Sequence, residues 1–368
     1  RTKKKLEATR HVEIANRQRR NERAPRQYLQ VPQSRSNLVG PARNSILEML
    51  RFALWLTTFV VFASSTEGPI CMENNGYTVC HSEGVLVDVT QQEFEDELKI
   101  RELNLLAVRE NAFKNLTTVK LNLDIGNNIS VVNRESFRGL EKLERLGLEM
   151  NQVALSINAV PKDSFAGLTE LMWLSLSYND IESIEEGSFS GLSSSMAFLW
   201  LNNNKITSIE AGSFSNMPKL TSLHLDNNLL TVVQPGTFRG LHKLDGLFLK
   251  GNRLSSVSKM DLKGLIDLRI LNLQRNEISD IEAGAFANLA QLEQLDLKKN
   301  QLTRVASGMF DGLKSLNKLD ISLNKIGTVE TGAFDGLHAL KNVNLMYNNI
   351  SNVDKINYGL SPMAILHT

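Results

Sequence analysis

The chain has 368 residues, 42% hydrophobic and 22% charged, with 41 Lys/Arg against 40 Asp/Glu for a net charge of +1. It is too apolar and too balanced to be wholly disordered, and its 23 Gly and 8 Pro are too few for collagen. Two cysteines exclude a disulfide-dense scaffold and a four-thiolate zinc site, and the length admits two or three ordinary domains or one solenoid.

The near-zero charge averages unlike parts. Residues 1–48 carry 12 Lys/Arg and 4 Asp/Glu, a net of +8, without hydrophobic periodicity. Residues 49–65 read MLRFALWLTTFVVFASS. Arg51 is a short positive region, Phe52–Ala63 is a 12-residue apolar run, and Ala63, Ser64 and Ser65 are small. That layout is a secretory signal peptide, with cleavage after Ala63 or Ser65. The run is about 18 Å long as a helix, short of the ~30 Å core of a bilayer. Met49 is then the expected start and residues 1–48 are absent from the mature protein. The competing reading is a basic cytosolic tail before an uncleaved signal anchor.

Residues 66–97 hold both cysteines, Cys71 and Cys80, ahead of the alternating Val85-Leu-Val87-Asp-Val89. Two free thiols are unexpected behind a signal peptide. No zinc partner stands near them.

From residue 98 to 368 the chain repeats itself. The Phe of an F-x-G-L pattern recurs at 113, 137, 165, 189, 214, 238, 286, 310 and 334, with Leu262 and Tyr358 in the two remaining units. The intervals are 24, 28, 24 and 25, then six of 24. Fourteen residues after each marker stands Asn127, Asn151, Asn179, Asn228, Asn252, Asn276, Asn300, Asn324 or Asn348, with Asn204 at fifteen. The clearest copy is Leu171-x-x-Leu174-x-Leu176-x-x-Asn179-x-Ile181-x-x-Ile184, then Phe189. Leu-x-Leu predicts a short strand, and successive copies predict parallel strands stacked coil on coil. The Asn is expected inside its coil, satisfying backbone groups that the tight bend buries. The Phe residues are expected to stack as a second apolar spine. In the Phe113 coil, Asn122 and Asp124 fall where Leu is expected, so Leu121 and Leu123 should take over by a one-residue shift with a bulge. Four extra residues in 152–162 predict a protrusion, and Leu262 predicts looser packing in its coil.

This pattern resembles the leucine-rich repeat in its 24-residue extracellular form, over about residues 98–360. The resemblance is to a class that includes Toll-type receptor ectodomains, Slit-type proteins and small leucine-rich proteoglycans. It implies an α/β leucine-rich repeat solenoid, a horseshoe with a concave parallel β-sheet and a mostly irregular convex side. It also implies that residues 66–97 are a reduced N-terminal cap with a Cys71–Cys80 disulfide. At the other end the chain stops at Thr368 inside an eleventh coil without a cysteine cap, so a fragment is expected at both ends.

The sequence carries no catalytic constellation. His11, His81, His224, His242, His338 and His367 are scattered, and no nucleophile elbow, metalloprotease helix, P-loop or dinucleotide fingerprint occurs. Asp296 and Asp320 share one strand column, but neighbouring acids in repeats are usually solvated. A non-enzyme without metal or cofactor is expected. Three glycosylation sequons begin at Asn115, Asn128 and Asn349.

The variable strand positions face solvent. Four successive coils place Trp173, then Phe198 and Trp200, then His224, then Phe248 there, with Tyr178 near the strand end. Aromatics in register form an apolar patch of the kind that marks binding sites. The later coils add Lys250, Arg269, Arg275, Lys298, Lys299, Lys318 and Lys341, interspersed with Glu293, Asp296 and Asp320. A glycosaminoglycan calls for a cleaner basic stripe, so an extracellular protein ligand or receptor is the expected partner, with a homodimer through the same face as the competitor and no nucleic acid. The expected function is a secreted or ectodomain recognition module that binds a protein through its concave face. The alternatives are a structural matrix protein of the small leucine-rich proteoglycan type and a signal-anchored receptor fragment.

Overall fold

In a computed structural model, residues 68–367 are described, apart from 131, 150–159, 193, 352–357 and 361–362. The chain divides between Ser65 and Thr66, and the fold concerns the second unit. The expected leader and signal peptide, Asn151 and most of the expected protrusion lie outside the described residues.

One sheet of twelve parallel strands runs the length of this unit, from Glu97–Lys99 to Ile365–His367. Each strand is three residues and pairs with the strand of the next coil, as Leu174 does with Leu199 and Leu199 with Leu223. The middle residue of each strand and the apolar residue two further on point inward: Leu174 and Leu176, Leu223 and Leu225, Leu295 and Leu297 are all buried. The residues flanking the middle one therefore face the concave side. This is the solenoid that the repeat predicts.

The opposite wall is built on the Phe positions. Phe137 and Phe165 stack at 6.0 Å between ring centroids, Phe189 and Phe214 at 5.9 Å, and Phe310 and Phe334 at 5.9 Å. The ring column breaks at Leu262, which is nonetheless buried, and resumes with Phe286 on Phe310. Tyr358 takes the last Phe position and is buried.

Polar bridges join one coil to the next. Asn252 donates from Nδ2 to the carbonyls of Leu249 in its own coil (3.0 Å) and Leu225 in the preceding one (2.9 Å), and its Oδ1 accepts from the Leu230 N–H (3.1 Å). Asn228, Asn276, Asn300 and Asn324 repeat all three bonds. Each amide is buried and uses both ends on backbone groups, and each strand-end carbonyl accepts from the Asn of its own coil and that of the next, as Leu249 does from Asn252 and Asn276.

The residue before each ladder Asn makes the bend. Tyr178, Asn203, Asn227, Gly251, Arg275, Lys299, Leu323 and Tyr347 all have positive φ, between 54° and 71°. Asn and Gly take this left-handed conformation readily, whereas Tyr, Arg, Lys and Leu take it at about 1 kcal/mol each. At Gly139, in the F-x-G-L of its coil, glycine is required for a further reason. Gly139 has φ of 95°, and a Cβ there would collide with the Phe113 carbonyl oxygen of the preceding coil.

The Phe113 coil shows the expected shift. Leu121 pairs with Leu98 and Leu146, and Leu123 is buried. The extra residue sits in the turn after the strand, where Ile125 (φ 34°) and Gly126 (φ 76°) let Asn127 reach its carbonyls one residue late.

A β-hairpin covers the first coil. Ile70–Asn74 pairs antiparallel with Tyr77–Ser82, which pairs with Val85–Gln91, and that strand runs parallel to Ala107–Val108. Cys71 and Cys80 are directly opposite and form a disulfide. Tyr77 is fully buried, donates its hydroxyl to the Glu95 carbonyl and meets the buried Thr118 hydroxyl; burial pushes its pKa up.

Two stability results are expected. Asn252→Ala strands the buried Leu230 N–H, removes one of the two donors at each of the Leu225 and Leu249 carbonyls and opens a gap, and costs roughly 2–4 kcal/mol in chemical denaturation, whereas Gln301→Ala on the half-buried flank stays within about 0.5 kcal/mol. Replacing both Cys71 and Cys80 by Ser costs about 2–3 kcal/mol, the loop-closure value for a link this short, read as a loss of amide protection in the hairpin.

Candidate partner-binding site

Two columns of concave side chains define the site. In the first, Arg145, Trp173, Phe198, Ser222 and Gly246 are in register on adjacent strands. In the second, Gly147, Ser175, Trp200, His224 and Phe248 are in register. The strand alternation places both columns on the same face.

The rings contact one another in a continuous line. The Arg145 guanidinium lies 5.3 Å from the Trp173 ring centroid. Trp173 meets Trp200 edge to face at 5.2 Å, Trp200 meets His224 at 5.4 Å, and His224 stacks on Phe248 at 4.3 Å with 6° between planes. Each ring is half-buried, mostly by its neighbours. Such contacts add about 0.5–1.5 kcal/mol per pair and fix the rings before any partner arrives. His224 is held by the Ser222 hydroxyl at 3.1 Å and stands 3.5 Å from the Asp226 carboxylate. Gly246 leaves room for Phe248, whose ring would lie 2.9 Å from a Cβ there.

Beside the rings is a polar floor. Ser175 and Ser177 are buried and hydrogen-bonded to each other, and Ser177 donates to the Asn202 amide oxygen at 2.8 Å. The Ser175 hydroxyl also stands against Glu149, so its one proton serves either Ser177 or that carboxylate. Burial raises the Glu149 pKa, and the Asp124 charge raises it further, against the lowering effect of the Ser175 bond. The Trp200 indole N–H is buried with no hydrogen-bond partner among the described residues.

Of the six aromatic residues singled out from sequence, Trp173, Trp200, His224 and Phe248 form the ring line, and Phe198 pairs in register with Trp173. Tyr178 is the left-handed turn residue at the strand end, 37% exposed. The sequence reading missed Arg145, which extending the Trp173–Phe198 column back by one coil would have found. It also missed Glu149 and its serines, for which no spacing signal exists. Asn115 and Asn349 are exposed and Asn128 is half-buried.

The acidic column has a backbone role. Asp296 Oδ1 accepts the Lys298 N–H at 2.9 Å, and Asp320 Oδ1 accepts the Ser322 N–H at 3.0 Å and the Ser322 hydroxyl at 2.6 Å. Asn272 and Asn344 make the same turn bond in the flanking coils. Burial raises the Asp296 pKa most, its N–H bond to Lys298 lowers it, and the Asp320 charge raises it. Among the described residues no group of His, Cys, Asp and Glu is placed to hold a metal, and no helix is long and apolar enough to cross a membrane.

The leucine-rich repeat sequence profile matches residues 155–197, 194–254, 247–302 and 291–350, more than half the chain. The chain belongs to the leucine-rich repeat family. No curated protein matches it in sequence. Among solved structures it is similar to TLR13 in a complex with single-stranded RNA, with TM-score 0.57 and 26% identity over 68% of this chain and 39% of that one. It is similar in fold to the Drosophila Toll–Spatzle complex, with TM-score 0.55 and 22% identity over 68% and 38%. A leucine-rich repeat protein of Leptospira interrogans gives TM-score 0.51 and 24% identity over 71% and 68%. The chain thus spans about two-fifths of the Toll-type chains. The expectation of no nucleic-acid partner finds no support here, since one neighbour was solved with RNA.

Glu149 gives a pH prediction. Its folded pKa lies above its unfolded value, so stability falls as pH rises from about 4.5 through the folded pKa. Glu149→Gln keeps an acceptor for Ser175 and removes the charge. Thermal unfolding should place the variant above the parent at pH 7 and level with it below about pH 4.

Proposed function

We propose that this leucine-rich repeat chain is an extracellular recognition module that binds a protein through the concave strands of residues 145–248. The observation that carries the reading is the unbroken contact line from Arg145 through Trp173, Trp200 and His224 to Phe248. A solvent-facing row of preset rings offers apolar area at low entropic cost, and Trp, Tyr and Arg are the usual anchors of interface hot spots. Tyr178 and Phe198 complete the surface on the rim and in the first column.

The extracellular setting draws on the signal-peptide pattern of residues 49–65, the cap over 66–97 with its disulfide, and the sequons at Asn115, Asn128 and Asn349. On this reading Met49 is the start and residues 1–48 are absent from the mature protein. The non-enzymatic reading draws on Asp296 and Asp320 being committed to backbone N–H groups. A matrix protein of the proteoglycan type and a pairing of two copies through the same face are the competing readings, and RNA competes because of the TLR13 likeness.

Alanine at Trp173, Trp200 and Phe248, one at a time in secreted protein, should weaken capture of the partner by about tenfold or more each, with Lys142→Ala unchanged. Unchanged capture with normal circular dichroism removes the site. Sedimentation tests for a dimer, and N-terminal sequencing near Ser64 or Thr66 tests the signal peptide.

A further inference from the structure

The concave face of the later coils looks mixed in charge as a sequence, yet the structure sorts the charges. Arg269 is bound to Asp245 at 3.6 Å and to Glu293 at 2.6 Å, and Lys243 to Asp267 at 2.7 Å; away from the concave sheet, on a two-stranded sheet of its own, Arg304 is bound to Glu330 at 3.2 Å. Asp296 and Asp320 turn to backbone N–H groups. Six cations are left along the rim where the strands end: Lys250, Arg253, Arg275, Lys298, Lys299 and Lys325. Among the described residues none of the six forms an ion pair, nor do Lys318 and Lys341 on the strands themselves; the acids beside the row are Glu277 and Asp226, whose Oδ1 accepts the Lys250 N–H at 3.0 Å.

They follow one another coil by coil. The Arg275 N–H donates to the Lys298 carbonyl at 2.9 Å, and the Gly251 N–H, next to Lys250, donates to the Gln274 carbonyl, next to Arg275, at 2.8 Å. Arg275 and Lys299 occupy the same left-handed turn position of adjacent coils, with φ of 57° and 58°. That conformation throws both side chains outward, and both are exposed. Like charges one strand spacing apart, about 4.8 Å at the backbone, repel. An anion laid across them relieves the repulsion and releases counterions.

We propose that this rim binds a linear sulfated polysaccharide. The cations form an open row along the solenoid axis, which suits an extended polyanion. Lys serves as a point charge on a flexible stem and needs no planar partner, which suits sulfate groups on a chain of varying pitch. No aromatic residue stands among the six, so the row lacks the stacking platform on which single-stranded nucleic acid relies. The surface is separate from the ring line of the proposed protein site. Its binding in solution does not depend on where the protein resides.

The test uses the full chain and a heparin octasaccharide. Lysine acetylation, read by mass spectrometry with and without the oligosaccharide, should slow several-fold at Lys250, Lys298, Lys299 and Lys325 and not at Lys142. Residues 1–48, net +8, contribute a background common to every variant, so the site-resolved footprint carries the assignment. In affinity measured against salt, Arg275→Ala with Lys299→Ala should reduce the log–log slope by about two, while Lys114→Ala with Lys142→Ala leaves it unchanged. Equal labelling of Lys298 and Lys299 with and without heparin, or an unchanged slope in the rim variant, overturns the proposal. So does protection of the same lysines by single-stranded poly(U) at lower concentration than heparin, which reassigns the rim to nucleic acid.

Discussion

The structure depends on the buried Asn amide that its coils repeat. A chain that turns back on itself every 24 residues leaves strand-end carbonyls and amides facing inward, where no water reaches them. The ladder Asn satisfies three of these groups at once, two in its own or the preceding coil by donation and one by acceptance. No other small side chain offers both functions in one plane: Asp lacks the donor, Ser lacks the reach, and Gln is too long by a methylene. Because the amide spans two coils, it also sets their stacking distance. The three-residue strands, the buried Leu pairs and the outward face follow from that spacing. The recognition surface is what remains once the backbone is satisfied.

Most of this was legible in the sequence because the repeat constrains it. The Asn and Phe positions gave the coil length, the inward faces and the two spines. The shifted coil at Leu121 and Leu123 was also legible, since Leu alternation outweighs strict spacing when the two conflict. Its accommodation was not: a turn residue at Ile125 absorbs the shift, and turns take insertions more cheaply than strands. The columns of the candidate site followed from register alone. What register cannot give is side-chain direction across columns, and so the diagonal contact of Trp173 with Trp200 and the burial of Glu149 over Ser175 were hidden. Charge was the least legible property. Composition counts Arg269, Glu293, Asp296 and Asp320 as surface charge, whereas ion pairing and turn bonds occupy all four.

The N-terminal hairpin shows how a solenoid end is closed with little material. Val79, Leu86 and Val89 cover the first coil, Tyr77 ties the hairpin to Thr118, and the cross-strand disulfide limits fraying of an exposed edge strand that carries Ile70 and Met72. The hairpin lies antiparallel while everything after it is parallel. The change of direction at Ala107–Val108 is therefore where local pairing gives way to stacking.

The gap at Leu262 has a mechanical meaning. Coils touch only their neighbours, so stiffness along the axis is a series property set by the softest joint. Rings stack from Phe189 through Phe238 and again from Phe286 through Phe334, but a leucine stands between the two runs. The joint lies past Phe248, where the ring line ends, and inside the cation row, between Arg253 and Arg275. A change of curvature concentrated there would leave the ring line intact while altering the spacing between the row's first two cations and its last four.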